Sequence, residues 1–354
     1  MLEELTGRRV ALRHRIASDG SDGPRFTDAV GELAADGRDA VVVHTRGGPV
    51  RVLRDAVVAV REVPPAPPRR ASWAAVNRIE RLRAAAWPSP VREDVGEWRL
   101  RAAGGFTNRA NSALVLGDPG VPLVRALDRL REFSAEQGID PVVQAPVGSP
   151  WSNRILEAGW HVLPAWGGQC LVLVAPTGSA DGAPDWPAAP GDGWWAVHGV
   201  TAPAAESPAW SVLTAGAPGA RGGEQSKGAG VAPPGEQSKG GGERDRPSAA
   251  GPREDAVTVG FGVLDGPDGA PAAAVRAAVV DDHVYLARLH VRAEHRRRGL
   301  GARLTEQALT WGAAHGARHA MLDVAGDNTA ALALYEREGW RVHHRYHYLV
   351  PTPP

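Results

Sequence analysis

Between a strand expected over His283–Val291 and a helix expected from about Gly299 to His315 stands Arg296-Arg297-Arg298-Gly299-Leu300-Gly301-Ala302. A strand, a glycine-punctuated turn and a helix N-terminus bring several backbone N–H groups and the positive end of a helix dipole to one spot. Glycines there let a diphosphate approach the main chain, so the stretch reads as an anion site. Arginines at a helix start are also commonplace on protein surfaces, and the surroundings have to decide. Leu300, Leu304, Ala308 and Trp311 line one face of the helix and Gly316 ends it. Downstream come a strand at Met321–Val324, an N-cap at Asn328, a helix over Thr329–Glu338 ended by Gly339, and a last strand at Tyr346–Val350. Upstream, Thr258–Leu264 and Ala272–Val280 flank the turn Gly266-Pro267-Asp268-Gly269, and Asp281-Asp282 turns the chain into the strand that leads to the arginines.

Arg-x-x-Gly-x-Gly at Arg296–Gly301, after a strand ending in Val291, resembles the pyrophosphate loop of the GNAT acetyltransferase superfamily. Asp327-Asn328-Thr329-Ala330-Ala331-Leu332-Ala333-Leu334-Tyr335-Glu336-Arg337-Glu338-Gly339-Trp340 resembles that superfamily's second signature, Asn-x-x-Ala-x-x-Leu-Tyr-Glu-x-x-Gly-Phe. The resemblance covers residues 256–350 and implies acetyl-CoA as co-substrate, with no metal. It implies that main-chain groups of Leu289, His290 and Val291 pair with the pantetheine arm. Amides from Arg297 through Gly299 and Gly301 to Ala302 would hold the pyrophosphate, with Arg296, Arg297 and Arg298 near the 3′-phosphate. Asn328 would steady the pantetheine while capping its helix. Tyr335 would protonate the departing thiolate, a role that its motif position favours over that of a core aromatic packed on Leu332. An amide near Leu289 would polarise the thioester carbonyl.

The general base stays open at this level. A strict period of two puts Leu289, Ala287, Tyr285 and His283 on the face of Val291. Ala287 is inert and Tyr285 a poor base at neutral pH, which leaves His283, the Asp281-Asp282 turn or a residue from another domain. The same period sends His290 to the opposite face, as a structural or solvent-facing residue. His343, His344 and His347 mimic metal spacing but read as a surface, and Trp311 and Trp340 as core.

Residues 70–176 repeat the order of helices and strands, and Leu156-Glu157-Ala158-Gly159-Trp160 echoes the second signature without its tyrosine. Where the pyrophosphate loop should stand, this block has Leu116-Gly117-Asp118-Pro119-Gly120-Val121-Pro122. Asp118 would repel a diphosphate and Pro122 lacks an amide donor, so the block reads as a degenerate copy that binds no acetyl-CoA. Its Gly104–Ser112 segment resembles that of actinobacterial tandem GNAT proteins. Arg109 and Asn111 in it would either reach the acceptor site or merely form a polar turn. Residues 1–65 alternate in short runs (Arg9–Ile16, Ala40–Thr45, Val50–Leu53, Val57–Val63), as a small SH3-like β-barrel would, before a proline spacer at 64–68. The expected fold class is therefore α/β (α+β), with tandem GNAT-like folds and mixed sheets behind a small barrel. The active domain would span 190–354, with a disordered insertion at 215–255. Sixteen of those 41 residues are Gly or Pro and none is aromatic.

Forty basic residues balance forty acidic ones, and residues 1–70 carry twelve against ten, which argues against a nucleic-acid binder. One cysteine, Cys170, excludes an internal disulfide and fits a reducing compartment. The N-terminus has no apolar run of signal-peptide type and no eighteen apolar residues stand together, so the expectation is a soluble cytoplasmic protein without a membrane partner. Two function classes remain: an N-acetyltransferase acting on a small-molecule or peptide amine in a ternary complex, and an acetyl-CoA-responsive binding protein. The two lysines, Lys227 and Lys239, lie in a repeated Gly-Glu-Gln-Ser-Lys-Gly within the insertion, where acetylation in cis is conceivable.

Overall fold

The computed structural model describes residues 2–16, 25–45, 47–64, 71–216 and 257–352. The insertion at 215–255, apart from its first two residues, and with it Lys227 and Lys239, lies outside the described residues, as does most of the proline spacer. Two compact units emerge, Met1–Arg69 and Arg70–Pro354.

The first unit is a five-stranded antiparallel sheet of β1 (Arg9–Ile16), β2 (Arg25–Asp36), β3 (Ala40–Thr45), β4 (Gly48–Leu53) and β5 (Val57–Glu62), in the order β4-β3-β2-β1-β5. Among the described residues β4 and β5 are not paired, so the sheet does not close through them. Val10, Leu12, Leu33, Val41, Val43 and Val52 alternate inward to form its core. The sequence reading missed β2. Its Gly-Glu-Leu-Ala-Ala run looks helical, yet Gly31 sits where an added Cβ would fall on the His44 carbonyl, a close strand approach open to glycine alone.

In the second unit the chain runs α1 (Trp73–Ala86), β6 (Val91–Val95), β7 (Trp98–Ala102), β8 (Ala113–Val115), α2 (Leu123–Glu136), β9 (Val143–Pro146), α3 (Pro150–Glu157), β10 (Trp160–Val162) and β11 (Cys170–Pro176). It continues through α4 (Asp192–His198), α5 (Pro208–Thr214), β12 (Thr258–Asp265), β13 (Pro271–Val280), β14 (His283–Val291), α6 (Leu300–Ala314), β15 (His319–Ala325), α7 (Thr329–Arg337) and β16 (Arg341–Pro351). One sheet joins all of its strands in the order β12-β13-β14-β15-β11-β16-β9-β8-β7-β6, with β10 on β16. Among the described residues only β14–β15 and β8–β9 are parallel pairs.

The two halves exchange strands. β11, at the end of the first half, inserts beside β15, and β16, at the end of the chain, runs between β11 and β9. Each half is thus closed by a strand from the other. One face of the sheet carries α6 and α7 over Val284, Leu286, Leu304, Ala308, Trp311 and Tyr335. There Gly312 lets α6 settle on β14, since a Cβ would stand 2.6 Å from the Val284 side chain. On the other face α1, α4 and α5 meet the sheet over Trp87, Trp194, Trp195, Tyr285 and Ala287. β6 and the two short helices α4 and α5 were not read from sequence. β6 is a charged edge strand, a common protection of exposed edges.

Candidate functional site

β14 and β15 pair only from His283/His319 to Leu286/Leu322, although both strands run further. Beyond that point they splay. The cause lies in β14: Arg288 adopts φ +57°, and the register with β13 slips between Ala274 and Arg276. This is a β-bulge, one extra residue that bends the strand and resets which side chains face which way.

The bulge overturns the strict alternation expected from sequence. Tyr285 and Ala287 lie on the α1/α4 face, but Leu289 and Val291 pack on the α6/α7 face. His290 therefore shares the face of Tyr285 and Ala287, its ring 5.6 Å from that of His198, which in turn lies against Trp194. Burial, with Arg296 and Arg288 nearby, lowers the His290 imidazole from its ordinary value, and burial with Arg288 takes His198 to about 3. Both rings are neutral at physiological pH. The bases read from sequence are elsewhere. His283 is six residues from Leu289, about 20 Å along a strand, buried and hydrogen-bonded to Asp282 at 2.6 Å. Asp281 and Asp282 are themselves paired with Arg78 of α1.

Past Val291 the chain turns through the arginine–glycine loop. Arg297 (φ +63°) and Gly299 (φ +79°) are both left-handed, and Gly299 is the N-cap of α6 with no side chain closing it. The first-turn amides, including those of Gly301 and Ala302, have no side-chain cap among the described residues. Arg297 and Arg298 are exposed beside them, while the Nε of Arg296 donates to the Val291 carbonyl at 3.1 Å. Gly301 faces Val291 and Leu334, so the helix start, the end of β14 and α7 meet at one residue. Asn328 caps α7, its Oδ1 accepting from the Ala331 amide at 3.1 Å. Tyr335 is 6% exposed, edge-on to Trp340 at 5.5 Å, and hydrogen-bonded to Thr305 of α6. Burial pushes its phenol up to about 12, so it carries its proton at any physiological pH.

The opposite face holds a polar cluster built by both halves. Glu80 and Arg83 of α1 pair with each other, and Arg83 and Tyr285 both bond Asp323 of β15. Glu80 also accepts from Gln144 and contacts His344 at 2.6 Å. Burial would raise the Glu80 carboxyl, but Arg83 and His344 outweigh it and hold it at about 2. The histidines at 343–347 are thus no exposed surface: His344 belongs to this cluster and His347 bonds Ser152 at 2.7 Å. Arg109 does cross between the halves, 3.1 Å from Asp323 and over the rings of Trp87 and Tyr285. Asn111 does not: its amide group is consumed in bracing residues 103–107 of its own loop.

The corresponding opening in the first half is lined by that half's own polar and aromatic groups. β8 and β9 pair at only two positions, and beyond them lies a pocket of about 200 Å³. Asn77 donates to the Leu116 carbonyl and Trp98 to the Gly117 carbonyl, both at 2.9 Å, and Trp151 stands edge-on to Trp98. Glu97 accepts from the Asp118 amide, so two carboxylates guard the approach to α2.

The profile of the acetyltransferase (GNAT) family matches residues 241–340. Those of the probable histone acetyltransferase Rv0428c C-terminal region and the Rv0428c N-terminal Sm-like domain match residues 74–233 and 5–61. The match at the small N-terminal sheet is thus to an Sm-like domain, and the narrower SH3-like expectation is not shown. The probable histone acetyltransferase Rv0428c of Mycobacterium tuberculosis is 26% identical over 343 residues, 97% of this chain and 94% of that protein. An uncharacterized N-acetyltransferase of Bacillus subtilis, YobR, is 46% identical over 43 residues, 12% of this chain and 17% of that protein. A GCN5-related N-acetyltransferase structure from Kribbella flavida aligns with 78% of this chain and 96% of its own, at 19% identity and a TM-score of 0.44.

Proposed function

We propose that this protein, an acetyl-CoA-dependent acyltransferase, moves the acetyl group to a primary amine by direct attack within a ternary complex, at a single site in its second half. The splay of β14 from β15 beyond Leu286, which ends at the uncapped start of α6, carries this reading. A thioester arm laid in the splay would find main-chain groups of Leu289, His290 and Val291. Its diphosphate would meet the amides from Arg297 to Ala302, with Arg296, Arg297 and Arg298 beside it.

His290 is the base this arrangement favours. Its neutral ring faces the side from which an amine would come, so it would accept the proton that the amine sheds on attack. The phenol of Tyr335, protonated and fixed by Thr305, would supply a proton to the leaving sulfur. Burial of the aromatic and aliphatic side chains around both would keep water from the thioester. A resident base on the acceptor side favours turnover over mere acetyl-CoA sensing.

Calorimetric titration with acetyl-CoA tests the reading. We expect one site per chain, abolished by Gly301→Glu, whose carboxylate would face the diphosphate between Val291 and Leu334. Thiol release with a panel of amines then follows turnover. Two sites per chain, or full affinity in a folded variant, would overturn it.

A further inference from the structure

The acceptor side of the splay is over-supplied with positive charge. Arg276 on β13 is the lone charged residue in an otherwise apolar run and is 0% exposed. Its Nε donates to the Leu213 carbonyl at 2.7 Å and one terminal nitrogen to the Ala86 carbonyl at 2.9 Å. The other terminal nitrogen has no partner, and Arg276 has no carboxylate, among the described residues. Burying a guanidinium without a counter-ion is costly, and chains keep such a charge where something negative arrives.

Two further guanidiniums share its neighbourhood. Arg276 and Arg109 each lie 5.0 Å from the ring of Trp87, and Arg109 extends on over Tyr285. Arg288, at the bulge opposite the stretch of β13 that holds Arg276, has no ion pair among the described residues. Burial lowers both Arg276, to about 9, and Arg288, with the like charge of Arg109 a smaller second cause for each. Asp323 pairs with Arg109 and Arg83 and bonds Tyr285, which leaves Arg276 and Arg288 without a carboxylate among the described residues. The Nε2 of His198, buried beside His290, is a further polar atom without a partner.

We infer that the acceptor is a small amine that also bears an anionic group, a carboxylate or a phosphate, and that Arg288, Arg109 and Arg276 hold this group while the amine is presented to His290 at the bulge. The inference rests on the acetyl-transfer reading and narrows it: a lysine-rich peptide would meet repulsion at the same place. Arg288 and Arg109 act as specificity residues. Their fork of donors suits a two-oxygen anion, and Arg276 supplies charge from beneath.

Sulfate titrated into the intact protein saturated with CoA is the first test, because CoA then occupies the loop at α6. We expect one additional site, weakened at least about ten-fold by Arg288→Asn, which tolerates the left-handed backbone, and restored by Arg288→Lys. Arg109→Gln, in the other half of the sheet, should weaken it similarly, so the conclusion does not hang on the bulge surviving one substitution. Absence of the sulfate site, or indifference to both charge-removing variants, overturns the inference. The second test compares kcat/KM for matched acceptors, 2-aminoethyl phosphate against ethanolamine and β-alanine against propylamine, alongside a lysine-rich peptide. Preference for the anionic member, collapsing in Arg288→Asn, supports the inference; preference for the neutral amine or the peptide sinks it. Failure of CoA itself to bind would instead remove the acetyl-transfer reading, and sulfate binding to the CoA-free protein would still decide the anion site.

Discussion

Arg288 is the residue on which the site turns. Its left-handed backbone inserts one position into β14, and everything after it changes face. His290 thereby moves from an expected bystander to the proposed acceptor side. Because burial and two arginines lower its pKa below the ordinary 6.5, the neutral, proton-accepting ring persists into mildly acidic solution. The acid limb of kcat should therefore fall only below pH 6.5. His290→Gln should remove that limb and cost about a hundred-fold in kcat, as measured by thiol release across pH. Tyr335→Phe should lower kcat by a similar factor of about a hundred with acetyl-CoA affinity retained in calorimetry; unchanged kcat would return Tyr335 to a purely core role.

At the scale of elements, α1 matters more than its sequence suggests. Val76, Ile79 and Leu82 stand at helical spacing in the sequence, but the buried charges of α1, Glu80 and Arg83, are what tie it to β15 and β16. The Glu80 carboxyl titrates at about 2 in the folded chain against an ordinary 4.5. A depressed acid stabilises above its unfolded pKa, so this contribution is complete above about pH 4.5 and is lost as pH falls toward 2. Glu80→Gln should accordingly cost about 3 kcal/mol at pH 7 and less near pH 3, as read by urea denaturation. Equal cost at both pH values would show that packing, not charge, is at stake. The lone Arg276 in an apolar strand was a signal present in the sequence, since a charge in such a run implies burial with a purpose. Nothing local marked Asp323 as its neighbour's partner.

For the whole second unit, strand exchange makes the two halves one cooperative structure. A chain ending at Trp340 lacks β16, which pairs with β11, β9 and β10. It should lose the fold of the first half as well as the second, with one unfolding transition for residues 70–354 in the full-length chain. A truncated protein that retained the Trp98–Trp151 core, judged by protection of β7 and β8 amides from exchange, would contradict this. Exchange also explains why Arg109 stands over Tyr285: the seam brings the first half's loop onto the second half's sheet.

The sequence by itself determined the anion loop, the helix caps, the two signature segments and the loss of that loop in the first copy. These are short-range features, set by which residues allow a tight turn, cap a helix or repel a phosphate. Tertiary structure alone decided the bulge and the strand exchange, and through them the face of His290 and the gathering of Arg109, Arg276 and Arg288. A non-glycine left-handed residue has no sequence mark, and a strand's partner is chosen by the sheet edges left open when the rest has packed. The side of the splay proposed to hold the cofactor was therefore written locally, and the side proposed to select the acceptor came only from the packing of two halves on one sheet.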